Sequence, residues 1–134
     1  MLSDVGDAEA WTQEDAWILV CLPGRLGRLR AVVSTADHYN HSVPNPEDLA
    51  AVLARLAASG LVVAQGDRFA TTTMGLDVLA DAKRDGYERI AEVRALLEPV
   101  PRREGPPVVS SSALERAYRN YGDPLWRRLW RRYA

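Results

Sequence analysis

The side chains of this chain that could bind a metal ion are few. His38 and His41 stand three positions apart, with Asp37 beside them. In a helix this spacing would place both imidazoles on one turn, as part of a metal site. The chain has no third histidine, and its single cysteine lies elsewhere. The favoured interpretation is therefore a set of polar residues where a helix ends, and we predict no metal and no cofactor.

Motifs for catalysis are also missing from the sequence. It contains no phosphate-binding loop and no nucleophile elbow. The acidic pairs Glu14-Asp15 and Glu47-Asp48 stand at predicted helix starts, where carboxylates stabilise the helix dipole. We therefore predict a protein that is not an enzyme.

The other side chains that could bind a ligand are arginines, and they are distributed unevenly along the chain. Residues 1–82 carry eleven acidic side chains against five arginines, a net charge of −6, although the whole chain has −1. Residues 116–134 hold six arginines and one aspartate, a net charge of +5. The five arginines of the first region are the residues there that could contact phosphate groups: Arg25, Arg28, Arg30, Arg55 and Arg68.

The segment GDPLWRRLWRRYA, residues 122–134, forms an amphipathic pattern. At helical spacing its aromatic and basic side chains separate onto two faces. Its candidate interaction residues are Trp126, Arg127, Trp130, Arg131 and Tyr133. Four roles remain open: docking on the chain's own body or a dimer mate, a nucleic-acid arm, a contact helix for another protein, and an interfacial membrane helix. Docking is favoured, because so short a helix needs packing to form and the body is acidic.

Three helices are predicted first. Thr12 and Asp15 resemble a capping box for a helix of about residues 12–22, which Pro23-Gly24 ends. Apolar residues recur at helical spacing over residues 26–36 and predict a second helix. A third helix begins at Asn45 as N-cap with Pro46 in its first position, and Gly60 ends it.

A β-hairpin is predicted next, with strands at residues 61–65 and 68–71 around Gly66-Asp67. Thr72 or Thr73 then caps a helix of about 25 residues, in which Gly86 marks a possible kink. Its apolar stripe consists of Leu76, Leu79, Ile90, Val93, Leu96 and Leu97. Residues 99–111 are rich in proline and form a predicted linker, after which Ser112 and Glu115 resemble a second capping box. The predicted parts are a domain at 1–98, a linker at 99–111 and a C-terminal amphipathic helical arm at 112–134.

This order of elements is that of a winged helix-turn-helix domain: a three-helix bundle plus a wing, mainly α with a small β-hairpin, here with a C-terminal helical extension. The stretch LARLAASGLVVAQGDRFATTTMG resembles the corresponding stretch of the MarR and PadR type bacterial transcriptional regulators. The matching residues are Leu53, Leu56, Gly60, Leu61, Phe69, Thr72 and Gly75, whereas Thr71 departs from the more usual leucine.

The resemblance implies a third helix in the major groove, a wing arginine at the minor groove or backbone, and a dimer formed through the helix after the wing. Arg55 is the only base reader available on the third helix, whose first turn is acidic. Two functions stay open: a DNA-binding transcriptional regulator, and a winged-helix module that binds protein without DNA. The apolar surroundings of Cys21 predict a buried thiol, which, with no apolar run long enough to span a membrane, favours a cytoplasmic protein.

Overall fold

The computed structural model describes residues 10–40 and 43–119, and this part of the chain is mainly helical with one small antiparallel sheet. Its elements in chain order are α1 (Gln13–Cys21), β1 (Gly27–Arg28), α2 (Leu29–Asn40), α3 (Pro46–Ala58), β2 (Val62–Gln65), β3 (Arg68–Thr71), α4 (Thr73–Asp81), α5 (Gly86–Leu96) and α6 (Ser111–Tyr118). Within the described ranges, none of these helices has the length and apolar content needed to cross a membrane.

Helix α1 lies at the centre of the core. The Thr12 side chain accepts a hydrogen bond from the Asp15 backbone N–H, and the Asp15 carboxylate accepts one from the Thr12 N–H, so the predicted capping box is confirmed. Almost every following side chain of α1 is buried, and the helix packs against α2, α3 and α5. Cys21 is buried as predicted, and burial raises the pKa of its thiol to about 12.

Helix α3 and the hairpin also form where the sequence predicts them. The Asn45 side chain accepts hydrogen bonds from the N–H groups of Glu47 and Asp48. Gly60 has φ +81° at the end of α3, and Gly66 has φ +64° in the hairpin turn, both conformations that glycine adopts at little cost.

The sheet has a third strand that the sequence analysis missed. Strand β1 pairs antiparallel with β3, with Gly27 opposite Phe69 and Arg28 opposite Arg68, which gives the order β1-β3-β2. A strand of two residues is too short for an alternating pattern to reveal it. Its pairing comes from a tertiary contact between segments about 40 residues apart.

The predicted single helix after the hairpin was wrong, because two helices occupy this region. Thr72 caps α4 by accepting from the Gly75 N–H, α4 ends at Asp81, and α5 begins at Gly86 with φ +61°. The separation lets Ile90, Val93 and Leu97 of the α5 region pack in the core.

The cap of α6 also differs from the prediction. Ser110, not Ser112, is the N-cap, and its hydroxyl accepts from the Ala113 N–H at 3.1 Å. Ala113 and Ala117 then face the core, and α6 packs on α2. The predicted arm residues Trp126, Arg127, Trp130, Arg131 and Tyr133 lie outside the described residues, as does His41.

Candidate functional site

A cleft of about 200 Å³ lies where the start of α2, the hairpin and α6 meet. Its charged lining consists of Arg28, Arg30, Asp67, Arg68 and Arg116. We call this set the arginine cleft. Small apolar side chains complete its wall: Leu29, Ala113 and Ala117. Among the described lining residues, four positive charges against one negative give a net charge of +3.

Two of these arginines face each other across the sheet. Arg28 on β1 and Arg68 on β3 are direct partners in the antiparallel register, so their Cβ atoms are neighbours on one face. Both side chains are exposed, and neither has an ionic or hydrogen-bonding partner among residues 10–40 and 43–119. Like charges directly opposite each other destabilise a strand pair. An anion between the two guanidinium groups would remove that repulsion.

The other two arginines already make contacts at the edge of the cleft. Arg116 Nη2 lies 3.1 Å from Asp67 Oδ2, and both side chains are about half exposed. Arg30 Nη1 donates to the backbone carbonyl of Arg119 at 2.8 Å. Arg116 is therefore held at the cleft by an exposed, exchangeable ion pair.

No family model, curated protein or solved structure matches this chain. The site is therefore assigned from the geometry of its own residues.

Arg55 lies apart from the cleft and is bound inside the protein. Its Nη2 and Nε donate to Asp15 Oδ1 at 2.8 and 3.1 Å, and only 13% of its side chain is exposed. Asp15 is fully buried, and its Oδ2 also accepts from Arg102 Nε at 3.4 Å. Glu104 completes the cluster, with its carboxylate 3.1 Å from Arg102 and 3.8 Å from Arg55.

The segment of residues 100–105, which we call the strap, lies against the C-terminal end of α3. The Arg103 N–H donates to the Ser59 hydroxyl at 2.9 Å. A Cβ atom placed on Gly105 would lie only 2.6 Å from the Cβ of Ala58. The strap is also tied to the N-terminal side of α1, since Trp11 Nε1 donates to the carbonyl of Val100 at 2.7 Å. Part of the predicted linker is therefore packed against the body.

The opposite end of α3 is acidic. Glu47 and Asp48 are exposed in its first turn, and Ala51 is exposed one turn later. Burial raises the pKa of nearby Glu14, and the carboxylates of Asp48 and Asp15 raise it further, while Arg55 lowers it. The exposed surface at the start of α3 thus repels a polyanion.

The structure brings three of the five predicted phosphate contacts together and separates the other two. Arg28, Arg30 and Arg68 share the arginine cleft, whereas Arg25 is an exposed residue outside its lining and Arg55 is internal. Arg116 is not among the predicted contacts, because in sequence it stands at the start of the basic C-terminal segment. The signal that could have identified it is its spacing in α6, three residues and so about one turn after Ala113.

Helix α4 exposes two large apolar side chains. In α4 only Gly75 is buried, while Met74 and Leu76 are 47% and 44% exposed. The predicted self-association stripe is thus divided: Ile90, Val93 and Leu97 pack inside the same chain, and Leu76 remains accessible.

Proposed function

We propose that this chain is a non-enzymatic regulatory protein of winged-helix architecture that acts through protein contacts and does not read DNA sequence with its third helix. The observation that carries the proposal is the state of Arg55. The only base-reading candidate on α3 donates both of its described hydrogen bonds to the buried Asp15 carboxylate.

A recognition helix needs side chains that reach base edges in the major groove, supplied mainly by its N-terminal half. On α3 that half offers Glu47, Asp48 and Ala51. The C-terminal end of the helix is covered by the strap through Ser59 and Gly105. Base readout by α3 would require breaking the Asp15–Arg55 pair and bringing carboxylates next to phosphates.

A duplex titration tests this role. A labelled random duplex and the wild-type chain are titrated at about 50 and 200 mM salt, the range over which phosphate contacts weaken strongly. We expect no saturable binding at the higher salt. We also expect that Ala51→Glu, which adds a carboxylate to the exposed face of α3 without touching the core, leaves duplex binding unchanged. Tight duplex binding that Ala51→Glu abolishes would contradict the proposal.

We further propose that the protein acts as a symmetric dimer formed through α4, as the MarR and PadR resemblance implies. The exposed Leu76 supports this assignment, because a large apolar side chain that is open on a helix gains from burial against a second copy. Sedimentation velocity should give a dimer for the wild-type chain and a monomer for Leu76→Asp. Leu26→Asp, at a similarly exposed leucine in the turn before β1, is the control and should stay dimeric. A wild-type monomer at all concentrations would rule out the dimer.

A second candidate function is sequence-independent DNA binding through phosphate contacts, and the grouping of Arg28, Arg30 and Arg68 favours it. In that case Arg28→Ala and Arg68→Ala should each lower the slope of log affinity against log salt by about 1. Arg25→Ala, outside the cleft lining, should matter less. A slope unchanged by all three substitutions would remove this candidate.

A further inference from the structure

We propose that the arginine cleft is a binding site for a phosphate monoester group, with Arg28 and Arg68 as its principal ligands. This site goes beyond the proposed regulatory role and would exist with or without a protein partner. It rests on the cross-strand arginine pair, which has no side-chain partner among residues 10–40 and 43–119, and on the concave cleft, whose described lining carries a net charge of +3.

The two ligands are placed by the sheet and not by flexible loops. Because Arg28 and Arg68 are register partners, their side chains start from neighbouring positions on one face and their guanidinium forks can converge on one group. Each fork can donate two parallel N–H···O bonds to an oxyanion. The sheet therefore presents the two cations before any ligand arrives.

A phosphate monoester fits this charge better than a carboxylate or a phosphodiester does. It carries about −1.5 to −2 charge at neutral pH and three strong acceptor oxygens. A carboxylate or a diester of duplex DNA carries a single negative charge, and the diester is flanked by sugars on both sides. A site of about 200 Å³ has room for a terminal phosphate group.

The ion pair between Asp67 and Arg116 affects how tightly the site binds an anion. The Asp67 carboxylate lies 3.1 Å from Arg116 Nη2, and both side chains are about half exposed. A bound phosphate would compete with Asp67 for Arg116, because charge-assisted bonds to phosphate are strong and an exposed ion pair is weak. Asp67 is thus expected to oppose binding, while the arginines favour it.

The test uses the full chain and four probes: inorganic phosphate, a short peptide with one phosphoserine, its unphosphorylated twin, and a random duplex. Backbone and arginine side-chain N–H signals are followed by NMR during each titration at about pH 7.5. We expect saturable shifts centred on Arg28 and Arg68 with the phosphopeptide and with inorganic phosphate, and none with the unphosphorylated twin. A phosphopeptide that binds more tightly than inorganic phosphate would identify a partner protein as the source, and equal affinities would identify a free phosphorylated ligand.

Substitutions that should weaken phosphate binding, compared with one that should tighten it, separate ligand binding from a merely structural role. Arg28→Ala and Arg68→Ala should each weaken phosphopeptide binding about tenfold or more, the loss expected for a charge-assisted bond. Asp67→Asn should tighten binding, since it removes the competing carboxylate, and Arg25→Ala should leave it unchanged.

The pH dependence of binding supplies a further check. The phosphoserine loses its second negative charge below about pH 6, whereas arginine keeps its charge. Affinity should fall from about pH 7.5 to 5.5, and none of the described lining residues is a histidine that could account for the change. The proposal is overturned if neither phosphate probe shifts Arg28 or Arg68, if Asp67→Asn weakens binding as the arginine variants do, or if the duplex binds more tightly than the phosphopeptide.

Discussion

At the scale of single residues, Asp15 is a buried carboxylate on which several segments of the protein converge. Its carboxylate is fully buried and accepts hydrogen bonds from the Thr12 N–H, Arg55 and Arg102. Burial of a charge is tolerated only when partners satisfy it. Asp15 therefore joins α1, α3 and the strap, which are distant in sequence, at one point.

Asp15→Asn should lower the free energy of unfolding by about 3 kcal/mol, because removal of one partner leaves buried charges uncompensated. Urea denaturation measures the change. Glu88→Gln is the matched control, since it breaks the exposed Arg84–Glu88 pair at 3.6 Å and should cost less than about 0.5 kcal/mol. Equal losses in the two variants would show that the Asp15 cluster adds little to stability.

Cys21 predicts a dependence of stability on alkaline pH. Burial raises the pKa of its thiol in the folded chain to about 12, from an ordinary value of 9.0. Between these pH values the thiol ionises only in the unfolded chain, so the unfolded state binds fewer protons and the free energy of unfolding falls as pH rises. Between pH 8 and 10 the wild-type chain should lose about 1 kcal/mol more than Cys21→Ala. Parallel curves for the two proteins would argue that the thiol ionises equally in both states.

At the scale of elements, the strap is held by a close backbone approach. Gly105 lies over Ala58 of α3 with no room for a side chain. Next to it the Ser59 hydroxyl accepts from the Arg103 N–H. The third helix thus owes its covered end to a residue without a Cβ atom, in a segment whose composition suggests only a linker.

Gly105→Ala should destabilise the protein by about 2 kcal/mol, because the new methyl group would have to displace the strap or α3. Gly24→Ala is the control: a Cβ atom there meets nothing within 4 Å, so the free energy of unfolding should change by less than about 0.5 kcal/mol. If both glycine variants behave alike, the strap does not pack tightly on α3.

At the scale of the whole molecule, one hydrophobic core joins the helices before the predicted linker to residues within it and beyond it. Val109, Ala113 and Ala117 belong to the same buried cluster as the side chains of α1 and α2. The Tyr118 hydroxyl also donates to the Pro44 carbonyl at 2.6 Å, and burial, with the nearby carboxylates of Asp48 and Glu14, raises the pKa of this phenol. Helix α6 is therefore packed as part of the body.

This shared core predicts that fragment 1–98 is less stable than fragment 1–119. The shorter fragment lacks Arg102, the Val100 carbonyl that accepts from Trp11, and the apolar face of α6. Urea denaturation should give it a clearly lower midpoint or no cooperative transition at all. Equal midpoints would mean that residues 1–98 form a self-sufficient domain, as the sequence analysis predicts.

Signals that act over three or four residues were enough to predict much of the fold. The caps at Thr12, Asn45 and Thr72 and the turn at Gly66 depend on hydrogen bonds and φ angles of neighbouring residues. The same local signals failed between α4 and α5, because apolar spacing alone does not say that the chain leaves the helix at Ala82 to let Ile90 and Val93 reach the core.

The sequence alone was therefore enough to predict the first three helices, the hairpin and the uneven charge. Only the tertiary structure decided which arginines act together. Arg55 and Arg102 meet Asp15 across 40 and 87 residues, and Arg28 meets Arg68 across the sheet. What a charged side chain does depends on its burial and on its partners. Both are set only when distant segments of the chain pack together.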